Sequence, residues 1–469
     1  MRAVCLLTAL VCGGLTLAAQ PPPTRTMRVD YFHTGGTAPE TFALDAVVIE
    51  PAPWPGPAGP VTDTLRLGEY GFDVRDAASS RVLYSAGFGS IFDEWSTTDE
   101  ASKRAGTFHE SVRFPAPAAP VTLAIRHRGP GNTWTDVWTV AIDPADMFVD
   151  TAAPEPAPGE VLALQRSGDP AQKVDLLLLG DGYTAAERGK FEADARRLLD
   201  VLFATSPFKE RRADFNVWGL APPSRESGVS RPSQGIHKAS PVGATYDAFG
   251  SERYVLTFDN KAFRQLASYA PYDVVEIVTN TRTYGGGGIY NLYSTVAADN
   301  AFAPYVFVHE FGHHFAGLAD EYYTSPVAYL PSGKKDEPWE PNVTADGASP
   351  KWTDLVAPGT PLPTPWEKQE YEARSRAAQA KRAEIRRQNR PEADMEALFQ
   401  EERQMDARQF AAERFAGTVG AFEGARYEAQ GLYRPEVDCI MFTRSESFCE
   451  VCRRAISRVI DSYVSTSRP

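Results

Sequence analysis

One stretch of the chain, HEFGHHFAGLADEYY at residues 309–323, limits the possible folds more than any other part of the sequence. His309 and His313 are four residues apart, so on a helix both imidazoles project from one face. The residues around them, PYVFVHEF at 304–311, are apolar on nearly every side, which indicates a helix buried in a core. Burying polar side chains in such a helix costs free energy unless each has an interaction partner, and a metal ion can be that partner. The alternative is a histidine pair hydrogen-bonded inside the core.

The spacing of the two histidines suits a zinc ion. Catalytic zinc takes three protein ligands, leaves one position open for water, and lowers the pKa of that water. Glu310 is the candidate catalytic residue, because a carboxylate beside the water can take its proton and return it later. Gly317 can end the helix and turn the chain back, which makes Asp320 the expected third ligand. Other carboxylates remain possible third ligands: Glu321, Glu337 and Glu340.

Several segments of the chain resemble the bacterial IgA-peptidase family of zinc metallopeptidases. Besides the histidine stretch, these are LLLLGDGYTAAE at 176–187, SRESGVS at 224–230 and GAFEGARYEAQGLYRPEVDCIM at 420–441. The part before about residue 150 resembles the β-rich domain that often precedes the family's catalytic domain. The resemblance implies a zinc endopeptidase with His309 and His313 as ligands and Glu310 as catalytic base. It does not imply immunoglobulin as the substrate, because the family is broad.

The segment after the second histidine resembles the metzincin pattern with one difference. That pattern places a glycine three residues and a third ligand six residues after this histidine, whereas Gly317 and Asp320 each come one residue later. Metzincins have a methionine turn beneath the zinc, and Met441 is the best-placed candidate, with a gap-filling core methionine as the alternative. Tyr427 and Tyr433 are candidates for hydrogen-bonding a developing oxyanion.

The N-terminus predicts export. Residues 1–19 have a short positive region, an apolar core and a small-residue cleavage site, as in a secretory signal peptide, so we expect a secreted or periplasmic protein. The apolar run is too short to span a bilayer comfortably, and no other stretch is a candidate span. The net charge of -13 argues against nucleic acid or an anionic membrane as the main partner. A protein or peptide substrate is the expected partner.

Residues 20–150 are predicted to form an all-β sandwich domain. About seven alternating runs of six to nine residues, broken by Gly and Pro, lack helical periodicity. The third of these runs occupies residues 63–76. We expect this domain to act as a spacer or to bind substrate or another surface, and residues 152–159 to form a linker.

Residues 151–469 are predicted to form an α/β zincin-type (metzincin-like) catalytic domain with an active-site helix. The apolar run VDLLLLGDGY from residue 174 is typical of a strand buried on both faces. TAAE at 184–187 predicts a capping box and a helix to about residue 203, and further strand-like runs complete the α/β pattern. Residues 366–418 carry charges of both signs at helical spacing, which predicts a solvated helical hairpin insertion.

Four consecutive glycines at 285–288 precede the strand-like run IYNLYSTV at 289–296. We interpret the tract as a flexible hairpin joining two runs. Because the second run directly precedes the histidine helix, we expect it to be an antiparallel edge strand of the cleft that pairs with the substrate backbone. A plain structural hairpin is the alternative.

Three cysteines follow the predicted signal peptide: Cys439, Cys449 and Cys452. In an exported protein one disulfide and one remaining thiol are expected, and the pairing stays open. A zinc site at the CxxC pair is not expected, because the sequence places no second pair of ligands nearby.

Together these patterns predict a secreted zinc endopeptidase. One alternative is an exported zinc hydrolase that acts on a non-protein amide such as a cell-wall peptide. Another is an exported, catalytically silent binding protein. The intact Glu310 argues against the last, because a purely structural metal site has no need of a base.

Overall fold

The computed structural model of the chain describes residues 24–57, 59, 61–329 and 336–464. The predicted signal peptide at residues 1–19 lies outside the described residues. None of the helices in these described ranges has the length and apolar character needed to cross a bilayer.

Two four-stranded sheets form the N-terminal part of the protein. Their strands are β1 (Arg25–Gly36), β2 (Thr41–Pro53), β3 (Tyr70–Asp76), β4 (Val82–Phe88), β5 (Ala105–Pro115), β6 (Val121–Gly129), β7 (Thr133–Ile142) and β8 (Val149–Asp150). One sheet has the order β5-β1-β2-β8 and the other β4-β3-β6-β7. Alternate residues of β1, namely Met27, Val29 and Tyr31, share one hydrophobic core with Phe72 and Leu123 of the second sheet. The prediction of a β-rich N-terminal region is confirmed.

The N-terminal part differs from the sequence-based prediction in two places. The third strand begins at Tyr70, so residues 63–69 are not part of it. A short helix, α1 (Ile91–Ser96), was not predicted. The Ser90 hydroxyl caps it by accepting from the Asp93 backbone N–H, and Trp95 is one of its buried residues. Six residues are too few to produce a recognisable helical period.

A six-stranded sheet forms the centre of the remaining chain. In order, its elements and neighbours are β9 (Leu162–Gln165), β10 (Val174–Asp181), α2 (Arg188–Leu202), β11 (Phe215–Leu220), β12 (Ala244–Thr245), β13 (Leu256–Thr257), α3 (Asn260–Ala267), β14 (Val274–Thr279), β15 (Gly286–Ile289) and β16 (Tyr293–Ala297). The strand order is β15-β16-β14-β10-β11-β9, while β12 and β13 pair separately. The four inner strands are parallel, and β9 and β15 are antiparallel edges. Every residue of β10 is buried, as expected for a central strand.

The last part of the chain supplies four helices and a hairpin. They are α4 (Ala303–Ala316), α5 (Lys368–Arg387), α6 (Glu392–Ala412), β17 (Phe422–Ala425), β18 (Glu428–Arg434) and α7 (Glu450–Val464). Helix α4 contacts β15 and β16 on one side and α2 and α7 on others, so it is enclosed by the rest of the fold. Phe311 and Phe315 pack against Phe208 in the main core. The protein is therefore a mixed α/β structure built around this helix.

The charged segment forms α5 and α6, and the pair is not solvated on all sides. Tyr371 and Ile385 of α5, together with Met395 and Phe399 of α6, are buried in the main core. Charged residues outnumber the apolar residues in this segment, so the apolar face was not predicted from the sequence. This face attaches the helix pair to the main core of the protein.

The glycine tract is itself the edge strand, which corrects the prediction that residues 289–296 would occupy the edge. Strand β16 lies inside the sheet, between β15 and β14. A Cβ atom at Gly286 would lie 2.5 Å from Val306 Cγ1, and one at Gly288 would lie 2.4 Å from the Glu310 carbonyl oxygen. Because glycine has no side chain, β15 can lie directly on α4.

Candidate metal centre

Helix α4 holds the two histidines side by side on the face that meets the cavity. His309 Nε2 lies 3.2 Å from His313 Nε2. His314, the next residue, faces the sheet: its Nδ1 donates to the Ile289 carbonyl oxygen at 3.1 Å, and its Nε2 accepts from the Val275 N–H at 3.1 Å. Burial lowers the pKa of His314 to about 3, so it stays neutral as a structural residue.

A left-handed turn at Gly317 brings Asp320 back to these imidazoles. Gly317 has φ +59, and its N–H donates to the His313 carbonyl oxygen at 3.0 Å, which ends α4. Asp320 Oδ1 then lies 3.1 Å from His309 Nε2 and 3.2 Å from His313 Nε2. These three atoms form a nearly equilateral triangle.

The other carboxylates considered from sequence lie elsewhere. Glu321 faces the cysteines, and its Oε1 lies 3.5 Å from Cys452 Sγ. Glu340 accepts from Arg426 Nε at 2.8 Å. Glu337 Oε2 accepts from the Ala345 N–H at 2.8 Å. Of the four candidates, the structure brings Asp320 alone to the imidazoles.

The hydrogen bonds of the two rings fix where their lone pairs point. His309 Nδ1 donates to the Ile440 carbonyl oxygen at 2.8 Å, and His313 Nδ1 donates to the Leu318 carbonyl oxygen at 2.5 Å. A carbonyl oxygen only accepts, so the proton of each neutral ring sits on Nδ1 and the Nε2 lone pairs face Asp320.

The triangle of Nε2, Nε2 and Oδ1 atoms fits a cation. Asp320 Oδ1 is buried without a hydrogen-bond donor among the described residues. A tetrahedral zinc ion with N and O ligands at about 2.0–2.1 Å separates those ligands by roughly 3.3 Å, close to the observed spacing. Without a metal, the His313 imidazole binds a proton instead. Burial alone would lower the pKa of His313, but the neighbouring Asp320 carboxylate outweighs this effect and raises the pKa to about 9.

The hairpin turn between β17 and β18 holds the second oxygen of Asp320. Tyr427 donates its hydroxyl to Asp320 Oδ2 at 2.6 Å, and the Arg426 N–H donates to the Asp320 carbonyl oxygen at 2.9 Å. Both turn residues have positive φ, at 67° and 48°, a conformation that costs about 1 kcal/mol in a non-glycine residue. Tyr427 therefore orients Asp320, which differs from the oxyanion role considered from sequence. Tyr433 packs on Gly347, away from the cavity.

Glu310 faces the cavity beside the two histidines. One oxygen of its carboxylate and one nitrogen of each imidazole all lie within 4.8 Å of one another. Burial raises the pKa of Glu310, although the neighbouring imidazoles oppose this shift. A carboxylate with a raised pKa accepts and returns a proton more readily near neutral pH.

The candidate metal centre opens into a cavity of about 490 Å³. Strand β15 lines one side through Gly286 and Gly288, and the N-terminal sheets and α1 line another. The N-terminal part supplies seven lining residues: Glu69, Gly89, Asp93, Glu94, Ser96, Thr97 and His127. Sequence reasoning did not find them, because no local pattern signals a contact across about two hundred residues.

Glu94 of α1 joins this N-terminal part to the cavity wall. Its carboxylate accepts from the Tyr254 hydroxyl at 3.2 Å and from the Tyr329 hydroxyl. The N-terminal part therefore forms a wall of the site and does not serve only as a spacer.

The chain matches two protein-family models. Residues 162–460 match the model described as IgA Peptidase M64, and residues 21–139 match the model described as Peptidase M64 N-terminus. The chain belongs to the IgA peptidase M64 family. This confirms the resemblance drawn from the sequence, and it places the protein among metallopeptidases that act on protein or peptide. No curated protein matches the chain.

In this M64 peptidase the turn around Met441 lies beneath the helix that carries the histidines. Met441 is fully buried, and a Cβ atom at Gly312 would lie 3.2 Å from its sulfur. Gly312 precedes His313 in α4. The Met441 carbonyl oxygen accepts from the Glu321 N–H at 2.8 Å, so the same turn also fixes the loop that follows Asp320.

The three cysteines are free thiols, so the disulfide expected from sequence is not formed in this structure. Cys439 Sγ lies 3.9 Å from Cys452 Sγ. The expectation that no further ligand lies near the CxxC pair is wrong, because the fold brings both Cys439 and Glu321 to it. Glu321 is more than a hundred residues away in sequence, so spacing alone gave no signal.

Proposed function

We propose that this M64 peptidase is an exported, zinc-dependent endopeptidase in which Glu310 acts as general base and then general acid. The observation that carries the proposal is the triangle of His309 Nε2, His313 Nε2 and Asp320 Oδ1, with Glu310 beside it at the cavity. The active-site helix beneath an edge strand, the turn at Gly317 and the buried methionine support a metzincin-like zincin fold.

His309, His313 and Asp320 would hold the zinc ion. When bound there, zinc lowers the pKa of a water molecule and polarises the carbonyl group of a substrate. Glu310 takes the proton of the attacking water and delivers it to the leaving amine. The Ile440 and Leu318 carbonyl oxygens keep the imidazoles in the tautomer that this arrangement needs.

Strand β15 is suited to align a peptide substrate. The Gly286 N–H donates to the Arg253 carbonyl oxygen and its carbonyl accepts from the Val255 N–H, each at 3.1 Å, on the side away from β16. Backbone groups alternate along a strand with a period of two, so those of Gly288 point to the same outer side. Gly288 lines the cavity. An extended substrate can therefore pair there by β-augmentation.

Tyr322 is our candidate for stabilising the developing oxyanion. It lines the cavity, and its hydroxyl oxygen accepts from Arg253 Nη2 at 3.1 Å, which leaves its own proton free to donate. Burial raises the pKa of Tyr322 well above the ordinary value, so the hydroxyl remains protonated. This role requires a donor near the reacting carbonyl oxygen.

The test is digestion of a complex peptide library by the purified protein, with cleavage sites identified by mass spectrometry. Glu310→Gln preserves the shape of the side chain but removes the base, so we expect zinc to stay bound and cleavage to be lost. Glu370→Gln, on the exposed face of α5, is the matched control and should cleave like the wild type.

Two results would contradict the proposal. Cleavage by Glu310→Gln at the wild-type rate would remove Glu310 from the mechanism. A wild-type protein that carries zinc but cuts no peptide would favour hydrolysis of a non-protein amide.

A further inference from the structure

Four side chains that commonly bind metals meet below α4, outside the catalytic centre. They are Glu321, Cys439, Cys449 and Cys452, and one ligand atom from each lies within 4.8 Å of all the others. Each residue is at most 2% exposed. None of them takes part in the peptidase chemistry proposed above, so the cluster needs a separate explanation.

The spacing of these atoms matches that around a tetrahedral zinc ion. Cys439 Sγ and Cys452 Sγ are 3.9 Å apart, and Cys452 Sγ lies 3.5 Å from Glu321 Oε1. With Zn–S bonds of about 2.3 Å and Zn–O bonds of about 2.0–2.2 Å, a tetrahedron has edges of roughly 3.8 Å between sulfurs and 3.6 Å between sulfur and oxygen. The two measured distances therefore match two edges of such a tetrahedron, and the other ligand atoms of the cluster lie within 4.8 Å of one another.

We propose that Glu321, Cys439, Cys449 and Cys452 bind a second, structural zinc ion. Thiolate-rich tetrahedral sites select zinc among the common divalent ions. Four protein ligands leave no position for water, and the burial of all four closes the site, as in structural zinc centres. Binding releases the thiol protons, because the thiolate is the ligand.

Three N–H groups donate hydrogen bonds to ligand atoms of this cluster. The Cys449 N–H donates to Cys439 Sγ at 3.3 Å, and the Cys452 N–H donates to Cys449 Sγ at 3.4 Å. Hydrogen bonds from backbone N–H groups stabilise thiolates. The Asn342 side chain donates to Glu321 Oε1 at 2.9 Å and fixes that carboxylate, whose Oε2 has no hydrogen-bond partner in the described ranges.

A disulfide would explain the placement of fewer of these four side chains than a zinc ion does. It would use two of the three cysteines, leave the third as a buried thiol, and leave Glu321 Oε2 without a hydrogen-bond partner among the described residues. Burying a carboxylate without a compensating charge or hydrogen bonds is costly. A zinc ion uses all four groups at once.

This second zinc would connect segments that shape the catalytic centre. Glu321 directly follows Asp320 in sequence, and Cys439 directly precedes Ile440, whose carbonyl oxygen accepts from His309. Cys452 lies in the first turn of α7, which packs against α4. The ion would therefore hold the third-ligand loop and the methionine turn against the active-site helix.

Zinc content per chain tests the proposal. We expect two zinc ions in the purified wild type and one in His313→Ala, which loses only the catalytic ion. Cys452→Ser should also retain one. Replacing zinc by cobalt should give a sulfur-to-cobalt charge-transfer absorption in the wild type and in His313→Ala, but not in Cys452→Ser. Because the histidine variant separates the two ions, failure of one site is distinguishable from failure of the other.

Thiol alkylation of the unfolded wild-type chain gives a second test that needs no variant. If zinc is bound, Cys439, Cys449 and Cys452 should all react once the protein is denatured in the presence of a chelator and in the absence of a reductant. A single reactive thiol, with two more appearing only after reduction, would show a disulfide and overturn the proposal. The proposal would also be overturned if the wild type contained one zinc ion per chain and His313→Ala contained none.

Discussion

Replacing Gly288 with alanine should separate the edge strand from the active-site helix. The added Cβ atom would lie 2.4 Å from the Glu310 carbonyl oxygen and 3.0 Å from His313 Cβ, whereas ordinary contacts begin near 3.4 Å. Strand and helix must therefore move apart by about 1 Å, a displacement that can lower a rate about 100-fold when it misplaces the substrate. The edge strand should yield, because α4 is enclosed in the core.

The substitution is expected to lower both kcat/KM and the free energy of unfolding. A 100-fold loss in kcat/KM corresponds to about 2.7 kcal/mol of transition-state stabilisation. Overpacking of this kind also lowers the free energy of unfolding by about 1–3 kcal/mol. Zinc content should stay at the wild-type level, because the three proposed ligands lie on α4 and the loop after it.

The assay is kcat/KM on a peptide identified in the library digest, with denaturant unfolding and metal analysis in parallel. Gly189→Ala is the matched control, because Gly189 is helical and a Cβ atom there meets nothing within 4 Å. This variant should keep full activity and gain up to about 1 kcal/mol of stability. Wild-type kcat/KM and stability in Gly288→Ala would refute the argument that β15 must lie directly on α4.

Two further predictions concern metal affinity. Tyr427→Phe removes the hydrogen bond to Asp320 Oδ2 and should raise the zinc dissociation constant about 10–100-fold in a chelator competition, whereas Tyr433→Phe should leave it unchanged. The Asp320 carboxylate raises the pKa of His313 in the metal-free protein to about 9, against the effect of burial. Below that pH zinc must displace a proton, so its affinity should fall about tenfold per unit from pH 8 to pH 6. A flat profile would contradict this competition.

Features that depend on near neighbours in the chain could be predicted from sequence. The helix with His309 and His313 on one face follows from a period of 3.6 residues, and the buried strand β10 follows from a continuous apolar run. The family resemblance was also visible, because its motifs are contiguous. For the third ligand the sequence favoured Asp320, because Gly317 can turn the chain back, but it left Glu321, Glu337 and Glu340 as alternatives.

The tertiary structure decided every feature that joins distant segments. It placed Asp320 at the imidazoles while turning the adjacent Glu321 toward the cysteines. The turn between β17 and β18 binds Asp320, and Cys452 of α7 contacts Glu321. The tertiary structure also made the glycine tract the edge strand and brought Glu94 to the cavity. Such contacts depend on how whole elements pack, and residues far apart in sequence leave no local period that records them. Sequence alone therefore specified the helix that carries His309 and His313, and the packing of the whole chain specified what surrounds it.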